Sequence, residues 1–269
     1  DVGDMVKTYT RRRGFRSTTV DAVRDVSFTL EHGKISALVG QSGSGKSTIG
    51  RLLTGIEKPD SGHIIFTGSG RAAADVTTFR RRQLRDYRRH IQLVFQDPYS
   101  ALNPAHPIAH SLSQPLRNYR GLGRGDVRAE AMRMLEEVGL QPAERFIDKF
   151  PHQLSGGQRQ RVVVARALAP KPEILIADEP TSMLDVSIRA EILELLSDLV
   201  RNQNLAMLYI THDLLSARML ADEIMVLNKG RIVEDGVTDA VIANPRDEYT
   251  QLLLRSIPNP FAPADRAAD

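Results

Sequence analysis

The chain has 269 residues, of which 41% are hydrophobic and 26% are charged, and its formal net charge is +3. This length fits one large domain or a domain with a sub-domain, and the composition is ordinary for a globular protein. The sequence contains no cysteine, which excludes disulfides, thiolate metal sites and thiol catalysis. No apolar run approaches the roughly 20 residues that a membrane-spanning helix requires. Any membrane role is therefore expected to be peripheral.

Arginine is concentrated in two short segments. The first contains Arg11, Arg12, Arg13 and Arg16, and the second contains Arg80, Arg81, Arg82, Arg85, Arg88 and Arg89. A solvated helix face or loop is the ordinary interpretation of such clusters. A phosphate-binding patch or a patch at a membrane edge is the alternative. The net charge alone is too small to indicate a nucleic-acid partner.

Both ends of the sequence differ from the rest. The chain begins at Asp1 rather than at a methionine and is strand-like within its first ten residues, so we expect further residues upstream. Residues 259–269 follow Pro258 and are rich in proline and alanine. This composition is typical of a disordered tail.

The first half of the chain alternates between strand and helix signals. Residues 18–30 alternate in polarity, and residues 35–39 form a short apolar run ending at Gly40, which is typical of a buried parallel strand. Residues 46–54 are predicted to form a helix with Gly55 as its C-cap. A turn at residues 59–62 precedes a predicted strand over 63–67.

The middle of the chain has a different character. Four prolines within residues 97–115 lead into a predicted helix over 126–138. Its apolar residues share one face: Val127, Ala131, Met134, Leu135 and Val138. Residues 97–153 therefore look like a mainly helical insertion. The strand and helix alternation resumes with a strand over 174–177, a helix over 188–200 and a strand over 206–210. This order predicts an α/β fold with a largely parallel sheet and helices on both faces.

A glycine-rich turn separates the predicted strand at 35–39 from the helix that follows it. It reads Gly40-Gln41-Ser42-Gly43-Ser44-Gly45-Lys46-Ser47, with Thr48 next. This pattern, in this context, indicates a phosphate-binding loop. Glycine allows successive backbone N–H groups to point at one phosphate, and the helix directs its positive end at the same anion. Lys46 is predicted to bridge two phosphates and Ser47 to ligate Mg²⁺.

Two carboxylates follow the apolar residues 174–177. They are Asp178 and Glu179, and they are placed at the carboxyl end of a buried strand, where open α/β sheets bind ligands. Neighbouring strand residues face opposite ways, so the two can take different roles. Asp178 is predicted to hold Mg²⁺ through its water shell, and Glu179 to orient and deprotonate an attacking water. A solvated acidic strand end is the alternative.

A third motif lies between the phosphate loop and the acidic pair. Residues 154–158 read Leu-Ser-Gly-Gly-Gln. The three motifs in this order resemble the ATP-binding cassette ATPases. The resemblance implies a P-loop NTPase fold with a mostly parallel core sheet, an N-terminal antiparallel β sub-domain and a helical sub-domain at about 97–160. The cassette would span residues 1–258, and two cassettes would hold ATP between them.

The resemblance also implies roles for single residues. The signature residues complete the γ-phosphate site of a partner cassette: Ser155, Gly156, Gly157 and Gln158. Gln96 matches the glutamine that senses Mg²⁺ or water, so the implied metal-site residues are Ser47, Gln96 and Asp178. His212 matches the histidine that contacts the γ-phosphate, and Asp185 matches the D-loop at the dimer interface. The implied catalytic residues are Glu179, His212 and Gln96.

Nucleotide contacts are expected from most of the phosphate loop and from an aromatic side chain upstream. The loop contacts are Gly40, Ser42, Gly43, Ser44, Gly45, Lys46, Ser47 and Thr48. Tyr9 is the first candidate to stack on adenine and Phe15 is the second, because the arginine-rich loop leaves the alignment open. Either aromatic could equally be a packing residue.

Two further segments indicate which group of ATP-binding cassette ATPases the chain resembles. Residues 94–104 read Val-Phe-Gln-Asp-Pro-Tyr-Ser-Ala-Leu-Asn-Pro, and Asn244-Pro245 is followed by Tyr-Thr-Gln-Leu-Leu-Leu at 249–254. Both are similar to the dipeptide, oligopeptide and nickel importer ATPases. The resemblance implies a Mg²⁺-dependent ATPase that energises an importer, with di- or oligopeptide as the expected solute and nickel or glutathione as alternatives. Some members carry an iron–sulfur cysteine cluster, which this cysteine-free chain excludes.

The importer resemblance implies a peripheral protein on the cytoplasmic face of the cell membrane. Its partners would be transmembrane permease subunits and a second cassette, which could be a homologous subunit, a fused cassette or a second copy. An extracytoplasmic solute-binding protein would act indirectly.

Two other functions compete with the importer reading. Soluble cassette ATPases that act on nucleic acid or ribosomes usually have paired cassettes or long insertions. This sequence shows neither, so no nucleic-acid partner is expected; a second cassette elsewhere in a longer chain is the alternative left open. A non-hydrolysing cassette subunit is the other alternative. The intact set Lys46, Asp178, Glu179 and His212 argues against it.

Overall fold

The computed structural model describes residues 1–13, 16–68 and 70–256, apart from the side chains of 11–13, 16–18 and 124. Phe15 and the tail at 259–269 lie outside the described residues, so neither prediction is tested.

The strands are β1 (Val2–Arg13), β2 (Arg16–Phe28), β3 (Ile35–Val39), β4 (Ser61–Phe66), β5 (Ala74–Asp75), β6 (Ile91–Val94), β7 (Ile174–Asp178), β8 (Ala206–Thr211), β9 (Glu223–Asn228) and β10 (Arg231–Val237). The helices are α1 (Lys46–Leu53), α2 (Arg81–His90), α3 (Pro98–Ala101), α4 (Ile108–Arg120), α5 (Arg124–Glu137), α6 (Gly156–Leu168), α7 (Val186–Gln203), α8 (Leu214–Leu220), α9 (Thr238–Ala243) and α10 (Glu248–Arg255). Short 3₁₀ turns form at Val76–Thr78, Ala143–Arg145 and Pro151–Gln153.

The strands form two sheets. The larger has the order β10-β9-β3-β8-β7-β6, and its pairs are parallel except for β9 with β10. The smaller has the order β2-β1-β4-β5 and is antiparallel. These sheets confirm the predicted α/β fold with a mostly parallel core sheet and an N-terminal antiparallel β sub-domain.

Helix α1 lies between the two sheets, and this position fixes the phosphate loop. Side chains alternate across β3, so Leu38 faces one core and Ala37 faces the other. Leu38 packs in the same buried cluster as Ile49 of α1 and Met5 of β1. Burying each such large aliphatic side chain contributes about 1.5–3 kcal/mol. The loop that joins β3 to α1 is therefore held at both ends by buried residues.

The predicted helical insertion at 97–153 contains α3, α4 and α5, and α6 follows it. The apolar face predicted for residues 126–138 is buried as expected. Helix α5 begins at Arg124, two residues before the predicted start. The face packs in one cluster with Leu112 of α4 and Val162 of α6.

Among the described residues, no helix has both the length and the apolar character needed to cross a membrane.

The second arginine cluster forms a helix, α2, and one of its members has a structural role. The Arg88 guanidinium donates to the carbonyl oxygens of Thr54, at 3.3 Å, and Gly55, at 2.7 Å. These carbonyls follow the last turn of α1, where unpaired acceptors and the negative end of the helix dipole favour a cation.

The predicted C-cap of α1, Gly55, is wrong by one residue, because α1 ends at Leu53 and Thr54 is its C-cap.

Candidate nucleotide-binding site

The phosphate loop passes so close to neighbouring backbone that two of its glycines admit no side chain. Gly45 has a φ of 113°, and a Cβ there would lie 2.1 Å from the carbonyl oxygen of Ala22. At Gly40, a Cβ would lie 2.2 Å from the carbonyl oxygen of Leu227. Distances this short are repulsive, so glycine is required at both positions. The predicted strand and helix are present on either side of the loop, and only glycine fits at these two positions between them.

Lys46 stands at the first position of α1 with its ammonium group inside the loop. The residue is 5% exposed, and Nζ donates to the carbonyl oxygens of Gly40, at 2.7 Å, and Gln41, at 3.0 Å. Burial lowers the pKa of Lys46, although the carboxylates of Glu179 and Asp178 act in the opposite direction. A cation withdrawn from water at the start of a helix is a strong local attraction for phosphate oxygens.

Ser47 and Asp178 together fit a magnesium ion. The Ser47 hydroxyl donates a hydrogen bond to the Asp178 carboxylate, which brings two hard oxygen ligands together beside the loop. Mg²⁺ is usually held by one or two such groups, with substrate phosphates and water completing its shell. In the described part of the chain, no three His, Cys, Asp or Glu residues form a cluster that could hold a metal alone. This donor set therefore suits a metal that arrives with a nucleotide.

Burial raises the pKa of Asp178, while the hydrogen bond from Ser47 acts in the opposite direction. Because the native pKa lies above the unfolded one, the native state binds more protons, and this carboxyl costs stability as the pH rises through both values. We expect Asp178→Asn to increase the free energy of unfolding of the ligand-free protein at neutral pH. Urea denaturation tests this, with a decrease contradicting it. The added stability that MgATP gives the wild type should be largely lost in the variant.

The three predicted catalytic residues meet at the end of β7. Gln96 Nε2 donates to Glu179 Oε2 at 2.9 Å, and His212 Nδ1 lies 3.0 Å from Glu179 Oε1. Because a carboxylate only accepts, Nδ1 of His212 carries the proton in this contact. Glu179 has a φ of 47°, a conformation that costs energy for a residue with a side chain and that clusters at functional sites. Its N–H donates to the Ile210 carbonyl at 2.8 Å, which holds the strained turn against β8.

A cavity of about 650 Å³ joins these groups to the phosphate loop. It is lined by Tyr9, Val20, Ala22, Gln41, Ser42, Gly43, Gly45, Lys46, Ser47, Thr48, Gln96, Glu179, His212, Leu253 and Ser256. Its size is within the usual range for small-molecule sites. The predicted residues Gly40 and Ser44 are not among its lining residues. The Ser44 side chain is buried.

Tyr9 lies at this cavity and is 37% exposed. Its hydroxyl donates to the Glu57 carboxylate, and it also contacts the Thr48 hydroxyl. Burial, followed by the hydrogen bond to Glu57, raises the pKa of Tyr9. The ring is therefore placed beside the loop by polar contacts at its tip. Stacking on adenine stays a prediction for this residue.

The signature residues do not line this cavity. Ser155 is the N-cap of α6, where its hydroxyl accepts from the Gln158 N–H at 3.2 Å and its own N–H donates to Gln158 Oε1 at 3.2 Å. This reciprocal pair is a capping box. Ser155 is exposed and Gly157 is buried; a Cβ on Gly157 would lie 2.6 Å from Cγ2 of Ile188. Asp185 is exposed at the start of α7.

We expect Ser155→Ala to lower the free energy of unfolding by about 1 kcal/mol, because the cap of α6 is lost. Chemical denaturation measures this change. Ser155→Thr retains a capping hydroxyl and is the matched control, and equal stability of the alanine and threonine variants would show that the cap contributes nothing.

Five lining residues are not among the predicted contacts: Val20, Ala22, Gln41, Leu253 and Ser256. Val20 and Ala22 precede the loop on β2, where the sequence pattern indicates only a strand. Leu253 and Ser256 lie more than 200 residues after the loop, and no local pattern indicates that α10 returns to it.

The chain is similar to known proteins in sequence and in fold. The family described as ABC transporter matches residues 23–182. The chain is 43% identical over 265 residues to the dipeptide transport ATP-binding protein DppF of Escherichia coli, covering 98% of this chain and 77% of that protein. It is also 43% identical over 240 residues to the glutathione import ATP-binding protein GsiA of Salmonella choleraesuis, covering 89% of this chain and 37% of that protein.

A solved structure shares the fold. The dimeric post-hydrolysis state of the ATP-binding cassette MJ0796, bound to ADP and Pi, superposes with a TM-score of 0.75 at 31% identity, covering 88% of this chain and 97% of that one. The family match spans more than half of the chain, and DppF is similar over nearly all of it. This chain therefore belongs to the ABC transporter family.

Proposed function

We propose that this chain is the ATP-hydrolysing subunit that energises a membrane importer of di- or oligopeptides. The observation that carries the proposal is the joint position of Glu179, Gln96 and His212 at one cavity with the Lys46 loop. The peptide solute is supported by the similarity to the dipeptide transport protein DppF. The similarity to GsiA keeps glutathione as an alternative solute.

Nucleotide binding is assigned to the loop and α1. Lys46 would exchange its two carbonyl acceptors for phosphate oxygens, which are stronger acceptors because they are charged. Ser47 and Asp178 would hold Mg²⁺, which would supply positive charge to offset the charge that develops on the phosphate groups. Tyr9 would contact the base.

Hydrolysis is assigned to the carboxylate at the end of β7. Glu179 would accept a proton from the attacking water, which requires an ionised carboxylate within hydrogen-bond reach of that water. Gln96 and His212, each in contact with one oxygen of this carboxylate, would fix its orientation. His212 would also contact the γ-phosphate.

A second cassette is assigned the other half of the site. Ser155, Gly156, Gly157 and Gln158 lie outside the cavity that contains Lys46, yet the start of α6 is an exposed helix N-terminus suited to anions. The similar cassette MJ0796 is dimeric when bound to ADP and Pi. We therefore assign the signature and Asp185 to the nucleotide held by a partner cassette.

The membrane partners are assigned to the surface around Gln96. Phe95 is 44% exposed and Tyr99 is 62% exposed, and exposed aromatic side chains beside polar ones favour a protein interface. The proposed occupants are transmembrane permease subunits on the cytoplasmic face of the membrane. An extracytoplasmic solute-binding protein would deliver the solute to those subunits rather than to this chain.

Mass-spectrometric identification of proteins that co-purify with the natively expressed protein in mild detergent tests this proposal. We expect two multi-span membrane proteins together with a partner cassette or a second copy. Co-purification with RNA or ribosomes, and ATPase activity strongly stimulated by nucleic acid, would contradict the importer assignment.

A further inference from the structure

Helix α10 is anchored to the edge of the core sheet by a carboxylate. Glu234 of β10 accepts hydrogen bonds from the backbone N–H groups of Arg246, at 2.8 Å, and Asp247, at 3.1 Å. Asp247 is the N-cap of α10 and accepts from the Tyr249 N–H at 2.8 Å. Charge-assisted bonds of this kind are stronger than neutral ones. The first turn of α10 is therefore held in a fixed position.

One face of α10 is directed at the phosphate loop. Tyr249, Leu253 and Ser256 follow i, i+4, i+7 spacing and so share a face. The backbone N–H of Gln41 donates to the Tyr249 hydroxyl at 3.0 Å. One turn later, Leu253 is 7% exposed, and it lines the nucleotide cavity together with Ser256.

Gln41 is held from both sides by this arrangement. Its N–H is bound to Tyr249, and its carbonyl oxygen accepts from Lys46 Nζ. The residue that receives the buried ammonium is thus fixed by a side chain from the far end of the chain. Holding a loop in its binding shape before the ligand arrives lowers the ordering cost of binding.

We propose that α10 is part of the nucleotide site, with Tyr249 as the positioning residue that holds the phosphate loop through the Gln41 amide. The inference rests on the function proposed above, and the ligand is a nucleoside di- or triphosphate. Tyr249 acts through the loop, and Leu253 and Ser256 close one side of the cavity.

Tyr249→Phe removes only the hydroxyl and tests the inference directly. We expect the affinity for MgADP, measured by calorimetry, to fall by about 2- to 10-fold, the range for one hydrogen bond. The Gln41 amide should exchange with deuterium faster by a similar factor in the ligand-free protein. The KM for ATP should rise with kcat nearly unchanged, a split that general destabilisation would not produce.

Two controls and a second variant make the result decisive. Tyr119→Phe makes the same chemical change on α4. Leu252→Ala changes the exposed face of α10, where Leu252 is 58% exposed. Both control variants should bind MgADP with the affinity of the wild type. Glu234→Gln loosens the anchor without touching the cavity, and it should weaken MgADP binding in the same direction. If Tyr249→Phe does not fold, the MgADP affinity of Glu234→Gln tests the role of α10 in its place.

The outcomes separate this inference from the proposed function. Wild-type MgADP affinity and wild-type Gln41 exchange in either folded variant would overturn the role of α10 and leave the ATPase assignment standing. Failure of the wild-type protein to bind MgADP would overturn both.

Discussion

Replacing Glu179 with glutamine is expected to reduce ATP hydrolysis by about 10²- to 10⁴-fold, the usual contribution of a positioned general base, while ATP still binds. The amide cannot take a proton from water, whereas the phosphate loop, Lys46 and Ser47 are untouched. Glutamine is also close to glutamate in size, so the contacts with Gln96 and His212 are perturbed little. ATP should therefore accumulate on the protein, and the cassettes should remain closed around it.

Steady-state phosphate release and sedimentation in the presence of MgATP measure the two parts of this expectation. Glu194→Gln, on the exposed side of α7, makes the same charge change away from the cavity and should hydrolyse ATP at the wild-type rate. Hydrolysis by Glu179→Gln at the wild-type rate would show that another group is the base.

Replacing Lys46 with alanine is expected to weaken ATP binding by roughly 10- to 100-fold, the range for losing hydrogen bonds to a charged group. Lys46 is a buried cation directed into the loop, so its loss removes the main positive charge from that part of the cavity. The Gly40 and Gln41 carbonyls would lose their donor at the same time.

Titration with a fluorescent ATP analogue measures the affinity, and circular dichroism checks the fold. Lys58→Ala removes an exposed lysine and is the matched control, with unchanged affinity expected. An affinity in Lys46→Ala equal to that of the wild type would contradict the phosphate-loop assignment.

Much of the fold could be predicted from the sequence because its signals are local. The apolar run at 35–39, the glycines at 40 and 45, and the periodic face from Val127 to Val138 depend on neighbouring residues alone. The α/β fold predicted from them is confirmed, and so is the family that the three motifs at 40–47, 154–158 and 178–179 resemble. The arginine-rich α2 was ambiguous because its apolar residues are few: Tyr87 is its buried anchor.

The candidate catalytic residues were identified in two ways: Glu179 from its place after the apolar residues 174–177, and Gln96 and His212 from the family resemblance. The structure adds the physical reason that they meet, because they follow β7, β6 and β8, and these parallel strands end at one edge of the sheet. The roles of these residues, and of the other predicted site residues, stay predictions until they are measured.

The contribution of α10 could not be predicted from the sequence. Tyr249 and Gln41 are separated by 208 positions, and their contact depends on where β10 and the turn after α9 place the helix. The residues 249–254 resembled an importer segment, but this resemblance gave no position in space. Long-range contacts of this kind require the folded structure.

The measurement that tests the central claim most directly is a structure of the Glu179→Gln variant with MgATP, assembled with its partner cassette. We predict ATP in the cavity of each intact phosphate loop, with Lys46 on the phosphates and the Ser155 hydroxyl of this chain within hydrogen-bond distance of the γ-phosphate held by the partner. ATP bound to a single cassette, with Ser155 distant from every nucleotide, would contradict the shared site.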